Sequence, residues 1–169
     1  MFFAFIPQFK QNRFDGMFFT SKLMIKYFKK TAFGSNAMVY EYTIRTEREN
    51  LYNITSNVRD AVAKSGVANG ICIVYCPHTT AGITINENAD PDVVHDILVG
   101  LNKAFPDRNE FRHMEGNSAA HLKSSCVGTS KTVLIENGRL VLGTWQGIYF
   151  CEFDGPRTRK YYVKVIRES

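Results

Sequence analysis

Pro77-His78-Thr79-Thr80-Ala81-Gly82-Ile83-Thr84-Ile85-Asn86-Glu87-Asn88-Ala89-Asp90-Pro91-Asp92 threads an imidazole, the adjacent hydroxyls of Thr79 and Thr80, two amides and three carboxylates between apolar residues of strand character. Each of those polar groups needs a partner once water is excluded, so such crowding beside buried strands points to a site rather than to packing alone. Upstream, Gly70-Ile71-Cys72-Ile73-Val74-Tyr75-Cys76 is a nearly continuous apolar run, the pattern of a strand buried on both faces. Downstream, Ile83-Thr84-Ile85-Asn86 reads as the next strand. Asp90-Pro91 then opens a helix with Asp90 as N-cap and Pro91 at its first position. Val93, Val94, Ile97, Leu98 and Leu101 give that helix one apolar face, and it ends before Pro106.

Further outward, Val39–Thr46 is rich in β-formers, and a helix capped by Thr55 or Ser56 carries Val58, Ala61 and Val62 to a stop at Ser65-Gly66. A charged polar loop is expected from Pro106 to about residue 120. Beyond it, 132–135, 139–142, 147–153 and 160–166 read as antiparallel strands joined by tight turns, with Asn137-Gly138 a hairpin signal. The order of elements is α+β.

The 169 residues, 44% hydrophobic and 22% charged, suit one globular domain with a sizeable core. The net charge of +5 suggests a nucleic-acid binder until it is located. Six of the 21 Lys/Arg and only one of the 16 Asp/Glu fall in residues 1–37, leaving fifteen of each sign in the body, which is therefore not basic. Nine of the thirteen Phe also precede residue 34. Residues 1–37 thus read as a Phe-rich basic leader, an organelle-targeting peptide or a non-native, dispensable extension, with the domain at 38–169. No stretch is long and apolar enough to span a membrane as a helix. Cys72, Cys76 and Cys126 read as small buried apolar residues and Cys151 is left open; none implies a disulfide, which fits the cytoplasm.

Four histidines are present: His78, His95, His113 and His121. His113 and His121 are eight apart, too far for one ion on a continuous helix or strand, so the chain must turn between them, and Gly116-Asn117-Ser118 supplies the turn. With His78 they would give three nitrogens and an open position, the ligand count of a catalytic zinc-type site. The spacing is not a standard zinc signature, and hydrogen-bonded loop histidines account for it equally well. His95 lies beside the apolar stripe of its helix and reads as a surface or packing residue.

Taken together, His78-Thr79-Thr80-Ala81-Gly82, Ile85–Val93, His113–His121, Leu142-Gly143-Thr144-Trp145-Gln146-Gly147-Ile148-Tyr149 and Glu152-Phe153-Asp154-Gly155-Pro156-Arg157 closely resemble the YjbQ-like family, also called the secondary thiamine-phosphate synthase family, over about 39–167. The resemblance implies a compact α+β domain with sandwich-like antiparallel sheets and two or three helices, a homotrimer, and a histidine-rich metal pocket whose histidines match His78, His113 and His121. It implies a divalent metal, zinc or magnesium, and a transferase that joins an aminopyrimidine diphosphate to a thiazole phosphate. Such a reaction needs cationic relief of the departing diphosphate and alignment of two rings. Arg157 is a candidate phosphate fork, or else a clamp on Asp154. Trp145 is a candidate stacking surface, or else core or interface. Thr79, Thr80, Asn117 and Gln146 are candidate hydrogen-bonding residues, while Glu87 and Glu115 would orient an imidazole or move a proton. A metal-dependent hydrolase of a small phosphorylated metabolite, and a non-catalytic metabolite- or metal-binding trimer, fit the same residues. Each reading expects a small phosphorylated molecule or other anion as ligand and neither nucleic acid nor membrane as partner.

Overall fold

Alternation of buried and exposed side chains along Ala37–Thr46 (β2), Gly70–Tyr75 (β4), Ser130–Glu136 (β6) and Arg157–Arg167 (β9) assigns these strands to one sheet. The computed structural model describes residues 31–33 and 37–169. The sheet runs β1-β2-β9-β4-β6-β7, where β1 is Thr31–Phe33 and β7 is Arg139–Leu140, and every pairing in it is antiparallel. A second antiparallel sheet places Gln146–Glu152 (β8) between Asn50–Asn53 (β3) and Ala81–Glu87 (β5). Three helices complete the described fold: α1 (Thr55–Ser65), α2 (Pro91–Ala104) and α3 (Ser118–Val127).

The main core lies between the sheets. Tyr40, Ile44, Val74, Tyr161 and Val163 of the first face Ile83, Ile148 and Phe150 of the second, with Val58, Ala61 and Val62 of α1 packed into the same cluster. A smaller core lies behind the second sheet, where Leu51, Tyr149, Cys151 and Phe153 meet Val94, Ile97, Leu98 and Leu101 of α2 and Ala120 of α3. The layers are therefore sheet, sheet and helices. Buried from Gly147 to Glu152, β8 is the strand that separates the two cores.

The hairpin at Asn137-Gly138 forms as expected, with φ of 51° and 74° at the two residues, the paired positive values of a type I′ turn. Asp90 caps α2 by accepting a hydrogen bond from the Asp92 amide at 2.9 Å. Other expectations need correction. The cap of α1 is not Thr55 or Ser56; the chain enters through Ile54, and the Asn53 side chain accepts from the Thr55 amide while the Thr55 hydroxyl accepts from the amide of Ile148. The strands at 147–153 and 160–166 are not a hairpin, since the chain crosses between sheets at 153–156 and each pairs elsewhere. The polar loop is shorter than expected because α3 begins at Ser118. Cys126 is exposed, not buried; the other three cysteines are buried and all four are free. Of the segment set aside as a leader, Thr31–Phe33 pairs with β2 and Ala37 begins that strand. Residues 1–30 and 34–36 lie outside the described residues. No described helix is long and apolar enough to cross a membrane.

Candidate functional site

Strand β8 fixes where the candidate residues can meet. Its register on β5 sets Ala81 opposite Glu152 at one end and Gln146 opposite Glu87 at the other. Six residues of extended chain separate these ends by about 20 Å. Glu87, Trp145 and Gln146 occupy the second end: the Glu87 carbonyl accepts from the Tyr149 hydroxyl, the Trp145 carbonyl accepts from the Asn88 amide, and the Gln146 side-chain oxygen accepts from the Gly143 amide. Trp145 is 63% exposed there, so it is not a core residue of the single chain. One chain does not bring these three residues to the histidines.

The Glu152 end holds the rest, around an ion pair that sequence reasoning missed. Glu152 has no exposed surface and takes both forks of Arg159, at 2.6 and 2.7 Å. Its remaining lone pairs accept from the Thr46 hydroxyl and the Asp154 amide, and Arg159 also donates to the Thr80 hydroxyl at 2.8 Å. Burial alone would raise the Glu152 pKa, but the hydrogen bonds from Arg159, Asp154 and Thr46 outweigh it and hold the carboxyl below its usual value. Two signals in the sequence mark this pair: a carboxylate inside the otherwise apolar run Gly147–Phe153, and the inward alternation of Arg159, Tyr161, Val163 and Val165 along β9.

His78 follows β4 and is half-buried. Its Nε2 accepts from the Lys160 amide at 2.9 Å, which leaves the ring proton on Nδ1. Burial, and then the charge of Arg159, lower its pKa, so the neutral ring is favoured. Thr80 is buried in the Arg159 network and Thr79 is exposed. Arg157 closes on Asp154 through Nε at 3.2 Å and a terminal nitrogen at 2.7 Å, so the clamp reading describes it in this chain. Asp154 also accepts from the Asn117 amide at 3.1 Å, and these two bonds hold its pKa down against the opposing effect of burial.

Asn117 precedes α3 without capping it through its side chain, and its Oδ1 is buried with no hydrogen-bond partner. A tight turn, in which the Gly116 amide donates to the His113 carbonyl, returns the chain so that the His113 and His121 rings stand 5.1 Å apart at 67°. Glu115 is exposed beside them, at 3.5 Å from the Asn117 amide nitrogen. An open cavity of about 290 Å³ is lined by His113 of the pair with Asp107, Arg108, Asn109 and Ser118. Sequence reasoning did not single out Arg108, because a lone arginine in a charged loop carries no pattern. His95 is exposed and its Nδ1 lies 3.1 Å from Asp96.

Among the described residues no group of three or more His, Cys, Asp or Glu side chains is placed to hold a metal ion. The His113 and His121 ring centres, 5.1 Å apart in edge-to-face contact, match the separation of about 5 Å expected for two imidazoles whose nitrogens each stand about 2.1 Å from one tetrahedral ion. Burial pushes the Cys76 thiol up to about 11 and that of Cys151 up to about 12, so neither is a ready thiolate ligand.

Residues 40–168 match the family described as UPF0047 protein YjbQ-like. The UPF0047 protein YugU of Bacillus subtilis is 58% identical over 122 residues, 72% of this chain and 92% of its own length. A UPF0047 protein of Methanocaldococcus jannaschii is 55% identical over 133 residues, 78% of this chain and 96% of its own. Among solved structures, a YjbQ/UPF0047-family protein of Clostridium acetobutylicum superposes with a TM-score of 0.73 at 59% identity, covering 75% of this chain and 98% of that one. With that match across most of its length, this chain belongs to the YjbQ-like UPF0047 family.

Proposed function

We propose that this chain is a metal-assisted enzyme that hydrolyses a small phosphorylated metabolite, with a divalent ion, zinc or magnesium, on His113 and His121. The observation that carries this reading is the close His113–His121 imidazole pair, of which His113 lines a cavity that also presents Arg108 and Asp107. A divalent ion supplies positive charge against phosphoryl oxygens and makes a water more acidic. The chain's own groups do the remaining work. Arg108 and the first-turn amides of α3, a turn that carries no acidic residue, hold the anion. Glu115 accepts the proton released by the attacking water. The orphaned Asn117 Oδ1 accepts a hydrogen bond from the ligand and so orients it.

The transferase that the family resemblance implies is the second reading, and the exposed indole of Trp145 favours it as a platform for a flat heterocycle. It asks more of the molecule, because Trp145 and Gln146 lie about 20 Å along β8 from the Glu152 end. A cavity of about 290 Å³ is at the small end for ligand sites and suits one phosphorylated metabolite better than two ring substrates side by side. We assign the chain to the cytoplasm, where its four cysteines stay free, as a homotrimer without nucleic-acid or membrane partners. Incubation of the zinc- or magnesium-loaded protein with a panel of phosphomonoesters, read as released phosphate, tests the hydrolase reading. Turnover that is lost with Arg108→Ala supports it. Pyrophosphate release from an aminopyrimidine diphosphate plus a thiazole phosphate, without phosphomonoester turnover, would replace it with the transferase.

A further inference from the structure

Among the described residues, the one buried side-chain atom without a hydrogen-bond partner is Oδ1 of Asn117. The turn that follows β8 fixes the rest of that carboxamide. Its Nδ2 donates to Asp154 Oδ2 at 3.1 Å, and Glu115 Oε2 stands 3.5 Å from the same nitrogen. A carboxylate only accepts, so a reversed amide would set its oxygen against a carboxylate oxygen and lose the bond. Asp154 is itself held firmly. Its Oδ2 takes Arg157 through Nε at 3.2 Å and a terminal nitrogen at 2.7 Å, its carbonyl takes the same Nε at 3.0 Å, and its amide donates to the buried Glu152 at 2.8 Å. Burial works against its ionisation, but the bonds from Arg157 and Asn117 outweigh burial and hold the carboxyl below its usual range, so near neutral pH it has no proton to donate. Gly116 and Ser118, on either side of Asn117, both line the cavity that His113 lines, which sets Asn117 in its wall. Asn117 is only half-buried, at the end of the exposed turn Met114–Gly116, so a ligand has a turn and not the core to displace on its way to the oxygen. The same cavity holds a further acceptor, since Asp107 lines it beside Arg108.

We infer that Asp154 is a positioning residue that holds Asn117 with its oxygen turned to the bound molecule, and that this molecule is a phosphomonoester carrying a hydroxyl group. The inference rests on the phosphorylated-metabolite site proposed above and names its substrate class. A bare phosphate, or one with a purely alkyl tail, brings only acceptors and carbon to a cavity whose wall holds an amide oxygen and a carboxylate. It would leave the buried oxygen unpaired, and a site that keeps a buried polar group for a substrate hydroxyl rejects the analogue that lacks one. A hydroxyl suits a neutral amide oxygen, whereas an ammonium is drawn to Glu115 or Asp107 instead. Asp154 acts through Asn117 and not on the ligand. Arg157 serves the same end by closing on Asp154, and the Glu152–Arg159 pair gains a part in the site because Glu152 anchors the Asp154 amide.

The test is calorimetric binding of propylphosphonate and 2,3-dihydroxypropylphosphonate to the zinc-loaded full chain. These probes share a carbon chain and a C–P bond that resists hydrolysis, and they differ only in hydroxyls. The proteins are wild type, Asp154→Asn, Asp154→Glu and Asn117→Ala, with circular dichroism to verify folding. An asparagine in place of Asp154 donates as well as accepts, so it no longer dictates which way Asn117 faces, whereas a glutamate still only accepts. The expected result is a preference of roughly tenfold for the hydroxylated probe in wild type and Asp154→Glu, and none in Asp154→Asn or Asn117→Ala. Propylphosphonate should bind Asp154→Asn as it binds wild type, which a merely structural loss would not allow. Failure of wild type to bind either probe would overturn the phosphorylated-metabolite site and this inference together. Equal binding of both by wild type would overturn the inference and leave the site standing. A preference that persists in folded Asp154→Asn, or that is lost equally in Asp154→Glu, would remove Asp154 from the role. If Asp154→Asn does not fold, a preference that persists in folded Asn117→Ala would overturn the inference in its place.

Discussion

Glu152 and Arg159 show how a few buried polar atoms hold the site together. The pair joins β8 to β9 and reaches Thr80 and, through the Asp154 amide, the turn that carries Arg157. Removing one partner of a buried, hydrogen-bonded ion pair leaves the other charge uncompensated, so Glu152→Gln should cost about 3–5 kcal/mol in urea unfolding. The pH dependence follows from three pKa directions. Glu152 and Asp154 titrate below their ordinary values in the fold, so their contribution is complete above the unfolded carboxylate range and is lost as pH falls through the folded values. His78 is also lowered, and because the fold prefers its neutral form, stability begins to fall as pH drops below the ordinary imidazole value of 6.5. Melting temperature should therefore hold near neutrality and decline in two stages on acidification. His78→Gln keeps an acceptor for the Lys160 amide without titrating, and it should abolish the upper stage; an unchanged two-stage profile would remove His78 from this role. The motif residues around His78 and His113 were legible in the sequence because polar density and Gly-punctuated spacing are local. The Glu152–Arg159 pair was less so, since it joins residues of two different sheets.

At the scale of elements, α1 and α2 were legible from their apolar stripes, and α3 was not. The buried side of α3 consists of Ala119, Ala120, Lys123 and Ser124, which give no apolar stripe to read. Polar bonds hold it instead. The Lys123 ammonium reaches Glu49 and Asn102, each at 2.6 Å, and the Ser124 hydroxyl donates to the Ala81 carbonyl at 2.7 Å. Lys123 thus ties α3, which presents His121, to α2 and to the loop after β2. Lys123→Met should cost about 1–3 kcal/mol, less than the Glu152 change because Glu49 is partly solvated and can recover water. Amide hydrogen exchange should register the loss first in α3. Equal loss of protection throughout the main core would show that α3 is not secured separately. Strand existence was legible as well, but assignment of strands to sheets was not. β8 and β9 are consecutive and strongly patterned, and only the apolar content of both faces of β8, Ile148 and Phe150 on one and Tyr149 and Cys151 on the other, marks it as the strand between two cores.

At the scale of the described chain, a sheet, a second sheet and a helical layer enclose the two cores. The charge and aromatic boundary near Met38 located the body correctly enough for the family match, which starts at residue 40, though Thr31–Phe33 adds three residues to the edge of β2. Because that addition is a three-residue edge strand on β2, a chain begun at Met38 should fold and melt within about 4 °C of the full chain. A larger drop would make the Phe-rich segment part of the fold. The sequence-level site survives in a divided form: the histidine loops and Arg157 gather toward one end of β8, while Glu87, Trp145 and Gln146 lie at the other. The measurement that bears most directly on the proposed centre is metal content, by plasma mass spectrometry, of the full-length protein after zinc loading and dialysis, compared with His113→Ala, His121→Ala and His95→Ala. A metal centre on the imidazole pair predicts near-stoichiometric zinc in the parent and in His95→Ala and at least a tenfold loss in the other two, with all four folded. Full zinc occupancy in folded His113→Ala and His121→Ala would contradict it.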